Sequence, residues 1–190
     1  GSHRGDYHFF TANGKNIERR PQPDYHFDPR TRPWYQAVAH SGAPELSLPY
    51  VFFTTQQVGI TLSQKSRAGT SVVGMDVVLD DLATQLDNLK VTPNTQLALV
   101  NSQNEVLAYP DMARVLKRQG DSFDFNTLDE LGEASLTPLA SLLTDDKPAA
   151  LYEVKGREWL GVSMNFDVWR SPGMRLLVAL PSSELMGELE

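Results

Sequence analysis

The sequence predicts an α+β fold of two PAS-like modules, each an antiparallel sheet flanked by helices. Three observations predict it. An order of two strands, helical material and three antiparallel strands occurs twice. Short runs rich in β-branched and aromatic residues are joined by turns, three of them marked by Gly14, Gly69 and Gly156. Between the copies, Leu79, Leu82, Ala83, Leu86 and Leu89 recur at spacings of three or four, an amphipathic helix. The boundary is expected near Lys90 to Pro93, giving modules over 4–90 and 91–190.

In the first module Tyr7 to Phe10 and Asn16 to Glu18 read as a hairpin around Thr11-Ala12-Asn13-Gly14. The proline-rich segment from Arg19 to Pro29 reads as a loop, followed by a helix from about Pro33 to His40 that Ser41-Gly42 stops. Strands are expected over Leu48 to Thr54, Val58 to Ser63 and Thr70 to Asp76, the last two turning at Arg67-Ala68-Gly69. Asp80 and Asp81 fall in the first turn of the following helix, where its dipole favours negative charge.

The second module opens with strands Gln96 to Val100 and Glu105 to Tyr109 around Asn101 to Asn104. Asp111 to Arg118 reads as a short helix and Gly120 to Glu133 as acidic and irregular. Pro138 to Leu143 reads as a helix capped by Thr137. Ala149 to Val154 and Glu158 to Asn165 form a hairpin around Lys155-Gly156-Arg157. Met174 to Leu180 is the last strand, and Pro181-Ser182-Ser183-Glu184 starts a closing helix.

Composition narrows the chemistry. The 190 residues carry a net charge of −7 and no basic run, so nucleic acid is not an expected partner, although a local arginine pocket could take a small anion. Cysteine is absent, which removes disulfides, thiol nucleophiles and cysteine zinc sites together. His8, His26 and His40 lack metal-ligand spacing, and no nucleophile elbow, phosphate loop or dinucleotide fingerprint occurs. Asp121, Asp124 and Asp129 lack calcium-loop spacing. Catalysis, a metal and a cofactor are therefore not expected. Gly1-Ser2-His3 reads as a tag remnant, and no stretch has the apolar length of a membrane span. A piece lying between two membrane segments is compatible with both.

Most of the chemistry concentrates in Phe27-Asp28-Pro29-Arg30-Thr31-Arg32-Pro33-Trp34-Tyr35. Each proline fixes its own φ and pushes its predecessor out of the helical region, so Arg32 is expected extended with Trp34 and Tyr35 opening a helix. An arginine held beside aromatic faces can grip a carboxylate by charge-assisted hydrogen bonds. The competing reading is that Arg30 and Arg32 pair with local acids, while the rings, Trp159 and Trp169 pack as core or interface. Asp76 could likewise be only a helix cap and Tyr50 only a packed strand aromatic.

Asp28 to Tyr35, Tyr50, Gly59-Ile60-Thr61 and Val73-Gly74-Met75-Asp76-Val77 resemble the double Cache (dCache) sensor domain of bacterial chemoreceptors, histidine kinases and nucleotide cyclases. Leu97 to Pro110 and Tyr152 to Leu185 are similar to that family's second module. The family's long N-terminal helix has no counterpart here. The resemblance implies an extracytoplasmic, periplasmic sensor domain of an inner-membrane receptor, non-catalytic and anchored in the membrane in its full-length form. It further implies a small-molecule ligand, first of all an amino acid, in the membrane-distal module, and it allows a homodimer. An amine, a small carboxylate, or a ligand-free interaction module remain alternatives. Residue by residue, Arg32, Trp34 and Tyr50 fall on the ligand's carboxylate side, and Tyr35 and Asp76 on its ammonium side. Phe27 departs from the pattern, which has a tyrosine there, so a hydroxyl contact of about 1 kcal/mol is missing.

Overall fold

The computed structural model describes residues 5–22, 27–120, 122–166 and 173–186. Two antiparallel sheets and two separate hairpins carry the strands. Strands β1 (Gly5–Phe10) and β2 (Asn16–Gln22) pair only with each other, turning at Gly14, whose φ of 82° only glycine adopts freely. The segment expected as loop from Arg19 is thus strand as far as Gln22, because β1 offers it partners up to Gly5.

Asp28 caps a short 3-10 turn over Pro29–Thr31 and forms an ion pair of 2.7 Å with Arg30. Arg32 is extended at φ −82°, ψ 147°, and Pro33 sits at the first turn of helix α1 (Pro33–Ser41), which Gly42 ends at φ 70°. The strand expected over Leu48 to Thr54 is only the two-residue β4 (Tyr50–Val51), and a further short strand, β3 (Glu45–Leu46), precedes it. Pro49 between them has no N–H for a ladder. After Val51 the chain folds into a tight turn in which the Phe52 N–H donates to the Gln57 carbonyl, with Gln56 at φ 58°.

Strands β5 (Val58–Lys65) and β6 (Val72–Val78) form the long hairpin of the first sheet, in which β5 is central, with β6 on one side and β3 and β4 on the other. Its two faces differ in chemistry. The rows Tyr50–Gly59–Val78, Thr61–Asp76 and Ser63–Gly74 share one face, and Ile60–Val77 and Leu62–Met75 the other. Helix α1 lies on the polar face, where Ser63 Oγ donates to the Trp34 carbonyl at 3.0 Å and Lys65 Nζ to that of Ala39 at 3.2 Å. Helix α2 (Leu79–Asn88) leads away with Leu79, Ala83 and Leu86 buried.

The second sheet has the order β11-β12-β13-β7-β8, built from β7 (Gln96–Val100), β8 (Val106–Ala108), β11 (Ala149–Val154), β12 (Arg157–Phe166) and β13 (Met174–Pro181). The expected helix over Asp111 to Arg118 is a single 3-10 turn, Met112–Arg114, followed by β9 (Leu116–Gln119), which pairs with β10 (Ser122–Phe125). The segment expected as irregular thus holds a strand and helix α3 (Leu128–Leu131). Thr127 and Glu130 cap that helix reciprocally, a Thr-x-x-Glu signature already present in the sequence. Helix α4 (Leu139–Leu142) is preceded by Pro138 and not capped by Thr137, whose hydroxyl donates to the carbonyls of Leu128 and Glu133. Helix α5 (Ser182–Met186) follows β13, and Arg157 and Asn94 hold its Glu184.

The main core joins α3, α4 and one face of the second sheet through Leu128, Leu136, Leu139, Leu177 and Trp159. Ile60 and Leu79 belong to the same cluster, so the first sheet is packed onto the second through apolar side chains. Trp159 is core, whereas Trp169 and His26 lie outside the described residues.

Candidate functional site

On the polar face of the first sheet, between the α1 N-terminus and the Phe52 turn, lies a cavity of about 360 Å³. Phe27, Arg32, Trp34, Tyr50, Phe52, Phe53, Thr54, Thr55, Gly74, Asp76 and Val78 line it. Five of the six residues singled out in the sequence are therefore brought together here. The sixth, Tyr35, stands edge-on against Trp34 at 5.7 Å between ring centroids and is not among the lining residues.

The walls depend on two strand glycines. A Cβ on Gly59 would come within 2.1 Å of the Phe52 ring, and one on Gly74 within 3.1 Å of both the Trp34 ring and the Thr61 methyl. With no Cβ at either position, both rings approach the strand backbone closely. Phe27 meets Phe53 at a tilt of 39° with ring centroids 5.4 Å apart, and Tyr50 meets Phe52 edge-on at 5.2 Å.

Arg32 brings the positive charge. Its extended backbone, set by Pro33, aims the side chain across the cavity, where Nη2 donates to the Val51 carbonyl at 3.1 Å. The guanidinium carbon lies 5.1 Å from the Tyr50 ring centroid and 6.0 Å from that of Phe27. Among the described residues no carboxylate lies within ion-pair reach of it. The neighbouring arginine, Arg30, is turned away into its pair with Asp28.

Asp76 brings the negative charge. It does not cap helix α2, whose N-cap is Val78 with no side-chain bond. Its Oδ1 instead accepts the Thr61 hydroxyl at 2.7 Å, and Thr61 in turn meets the Tyr50 hydroxyl at 2.5 Å. Burial pushes the Tyr50 phenol above its ordinary pKa, and the charge of Asp76 adds to this, so the ring is a neutral phenol at physiological pH. Thr61, Phe52, Phe53 and Val78 were given no role from sequence. The alternation Gly59, Thr61, Ser63 opposite Val78, Asp76, Gly74 marks a polar, small-residue face that could have pointed to them.

Fold and cavity together define a two-sheet α+β domain whose first sheet carries an aromatic-walled site lined by the cation of Arg32 and the anion of Asp76. The chain shares 31% identity over 186 residues with adenylate cyclase 1 of Rhizobium meliloti, covering 94% of this chain and 27% of that protein. The ligand-binding domain of the Pseudomonas fluorescens chemoreceptor CtaA, solved with L-isoleucine, superposes with a TM-score of 0.58 at 22% identity, over 96% of this chain and 71% of that one. That of the Pseudomonas aeruginosa amino acid chemoreceptor PctB, solved with L-arginine, gives 0.60 at 17% identity, over 90% of this chain and 65% of that one. At these identities the structural likeness is one of fold. No family model matches the chain. The fold is that of the dCache-type ligand-binding domains of bacterial chemoreceptors, and the chain spans about a quarter of the length of the full cyclase. Among the described residues no helix is long and apolar enough to cross a membrane.

Proposed function

We propose that this domain is the extracytoplasmic, non-catalytic sensor of a membrane receptor, and that it binds an amino acid in the cavity of the first, membrane-distal module. The observation that carries the proposal is that Arg32 and Asp76 line one cavity. A zwitterion presents a carboxylate and an ammonium on one carbon. Arg32 and the Trp34 indole N–H are donors for the first, and Asp76 is an acceptor for the second. Phe52, Phe53 and Val78 then surround a side chain. The likeness to receptor domains solved with L-isoleucine and L-arginine supports the same ligand class.

The mechanism is a population shift. A ligand held by α1's N-terminus and by β6 at once favours the arrangement in which the two are close, and it moves the receptor only by that preference. A micromolar ligand releases about 8 kcal/mol on binding, ample for a coupling of a few kcal/mol. Helix α5, after the last strand of the second sheet, is placed to carry the shift onward.

Thermal shift with amino acids, amines and small carboxylates tests the proposal. At a thousandfold excess over Kd an amino acid should stabilise the domain by about 4 kcal/mol. Arg32→Ala should lose that shift while keeping the unliganded melting temperature. An equal shift in the variant, or none in the parent with any amino acid, would overturn the assignment. A second reading, a ligand with a single charged end, has Phe27 in its favour, since the carboxylate side lacks a hydroxyl there. Larger shifts with amines or simple carboxylates than with amino acids would select it.

A further inference from the structure

We propose that the turn over residues 52–57 is the specificity element of this site, and that it selects amino acids with an uncharged side chain. The inference rests on the amino-acid reading above and adds which amino acids bind and which residues choose among them.

The lining residues divide by the element that carries them. Four of them, Phe52, Phe53, Thr54 and Thr55, are consecutive and belong to this one turn. The turn hangs off the sheet just beyond the Val51–Val58 pair, so the ladder closes beneath it and a change inside it leaves strand register alone. Both charged lining residues lie elsewhere, Arg32 before α1 and Asp76 on β6. The turn itself reads Phe-Phe-Thr-Thr-Gln-Gln and carries no charge.

That division decides what a ligand side chain meets. With Arg32 and Asp76 facing the two charged ends of the amino acid, no further ion lines the cavity. A third charge would leave water for aromatic rings and hydroxyls without a counter-ion, which is unfavourable. An apolar side chain meets the rings of Phe52 and Phe53. An amide or hydroxyl meets Thr54 and Thr55, whose hydroxyls make no hydrogen bond among the described residues.

The turn holds its two rings differently. Phe52 is buried against Gly59, whereas Phe53 is 48% exposed and meets Phe27. Gln56 closes the turn: its N–H donates to the Phe52 carbonyl at 3.0 Å, and its side-chain Nε2 donates to the Phe53 carbonyl at 2.7 Å. It does not line the cavity. Gln56 is therefore a positioning residue that sets where Phe53 stands, and Phe53 is the adjustable wall.

Titration calorimetry of the whole domain with the twenty L-amino acids, the weak ones by displacement, tests the proposal. The tightest binder should have an uncharged side chain. Aspartate, glutamate, lysine and arginine should each bind at least about tenfold more weakly, and glutamate should fall that far below glutamine, which has nearly its shape. Phe53→Ala, at an exposed position, should cut the affinity ratio of the tightest binder to glycine severalfold, with glycine binding unchanged. Gln56→Gly tolerates the positive φ, removes the bond to the Phe53 carbonyl and should lower the same ratio by a smaller factor. A charged amino acid that binds as tightly as the best neutral one overturns the proposal. So does a ratio unchanged in either variant, or a variant that weakens glycine as much as the larger ligand. Failure of the parent to bind any amino acid is a separate result: it removes the underlying reading, and this inference with it.

Discussion

The two sheets carry one motif in two states. Each has a mid-strand glycine facing a helix, Gly74 in β6 and Gly161 in β12. At Gly74 the space is taken by the ring of Trp34, and a cavity continues beside it. At Gly161 the space is taken by Leu139, whose Cδ2 would lie 2.4 Å from an added Cβ, and by Tyr152 at 3.0 Å. The polar groups differ in the same sense. Arg114 of the second half stacks on Tyr109, donates to the Leu131 carbonyl at 2.6 Å and lies 3.7 Å from Glu133. The Tyr152 hydroxyl donates to the Ser135 carbonyl at 2.5 Å. Arg32, by contrast, is left with donors over a cavity. One fold thus supports a filled core and an open site, and the difference lies in whether side chains from helical segments consume the polar groups.

The largest expected effect breaks the filled half. Leu139→Ala removes a fully buried side chain from beneath Gly161 and should cost about 2–5 kcal/mol, read in denaturant unfolding. The arginines come next, as a matched pair. Arg114→Ala leaves the Leu131 carbonyl without its donor and should cost about 1–3 kcal/mol of stability. Arg32→Ala also removes a donor, from the Val51 carbonyl, but Val51 is exposed where Leu131 is buried, so water can replace that bond and the variant should lose ligand affinity with little change in unfolding. Equal stability losses in both would erase the distinction between the halves. Gly74→Ala pushes a methyl towards the Trp34 ring and the Thr61 methyl, so Trp34 must shift by a few tenths of an ångström. It should weaken ligand binding severalfold at about 1 kcal/mol or less of stability, since the added contact is tight without being prohibitive.

The smallest effect sharpens the second half alone. The Thr127 N–H, then Lys117 and the Thr127 hydroxyl, hold the Glu130 carboxyl below its ordinary pKa. A depressed folded-state pKa contributes stability above the unfolded value, which is lost as pH falls through the folded one. The melting temperature of the parent should therefore fall more steeply below pH about 4.3 than that of Glu130→Gln, with the two curves converging in acid. Ligand binding by the first half should not follow this titration.

The hairpins at Gly14, Gly69 and Gly156, the α2 stripe and the extended Arg32 before Pro33 were all legible, because each depends on torsional limits or periodicity within a few residues. The strand expected through Leu48 to Thr54 failed because an apolar run does not reveal where Pro49 and the Gln56 turn interrupt pairing. The 111–133 region was read as one helix and an irregular loop for a related reason. Its β9–β10 pairing is decided by a partner strand, although the Thr127–Glu130 cap was there to be read. Arg32 and the aromatics beside it stood out in the 27–35 segment itself, Tyr50 and Asp76 were named only through a resemblance, and Thr61 was quoted within it and given no role.

By itself the sequence determined the local geometry and the residue types of the site: proline set the arginine's backbone, glycine made room for rings, and alternation set a polar face. Tertiary structure decided what those groups are available for. Arg30 and Arg32 are two residues apart and chemically identical, yet one is closed onto Asp28 and the other faces a cavity. That choice depends on what the remote β4 and β6 bring within hydrogen-bond reach, and a bond made or left unmade across strands is not encoded at either residue alone.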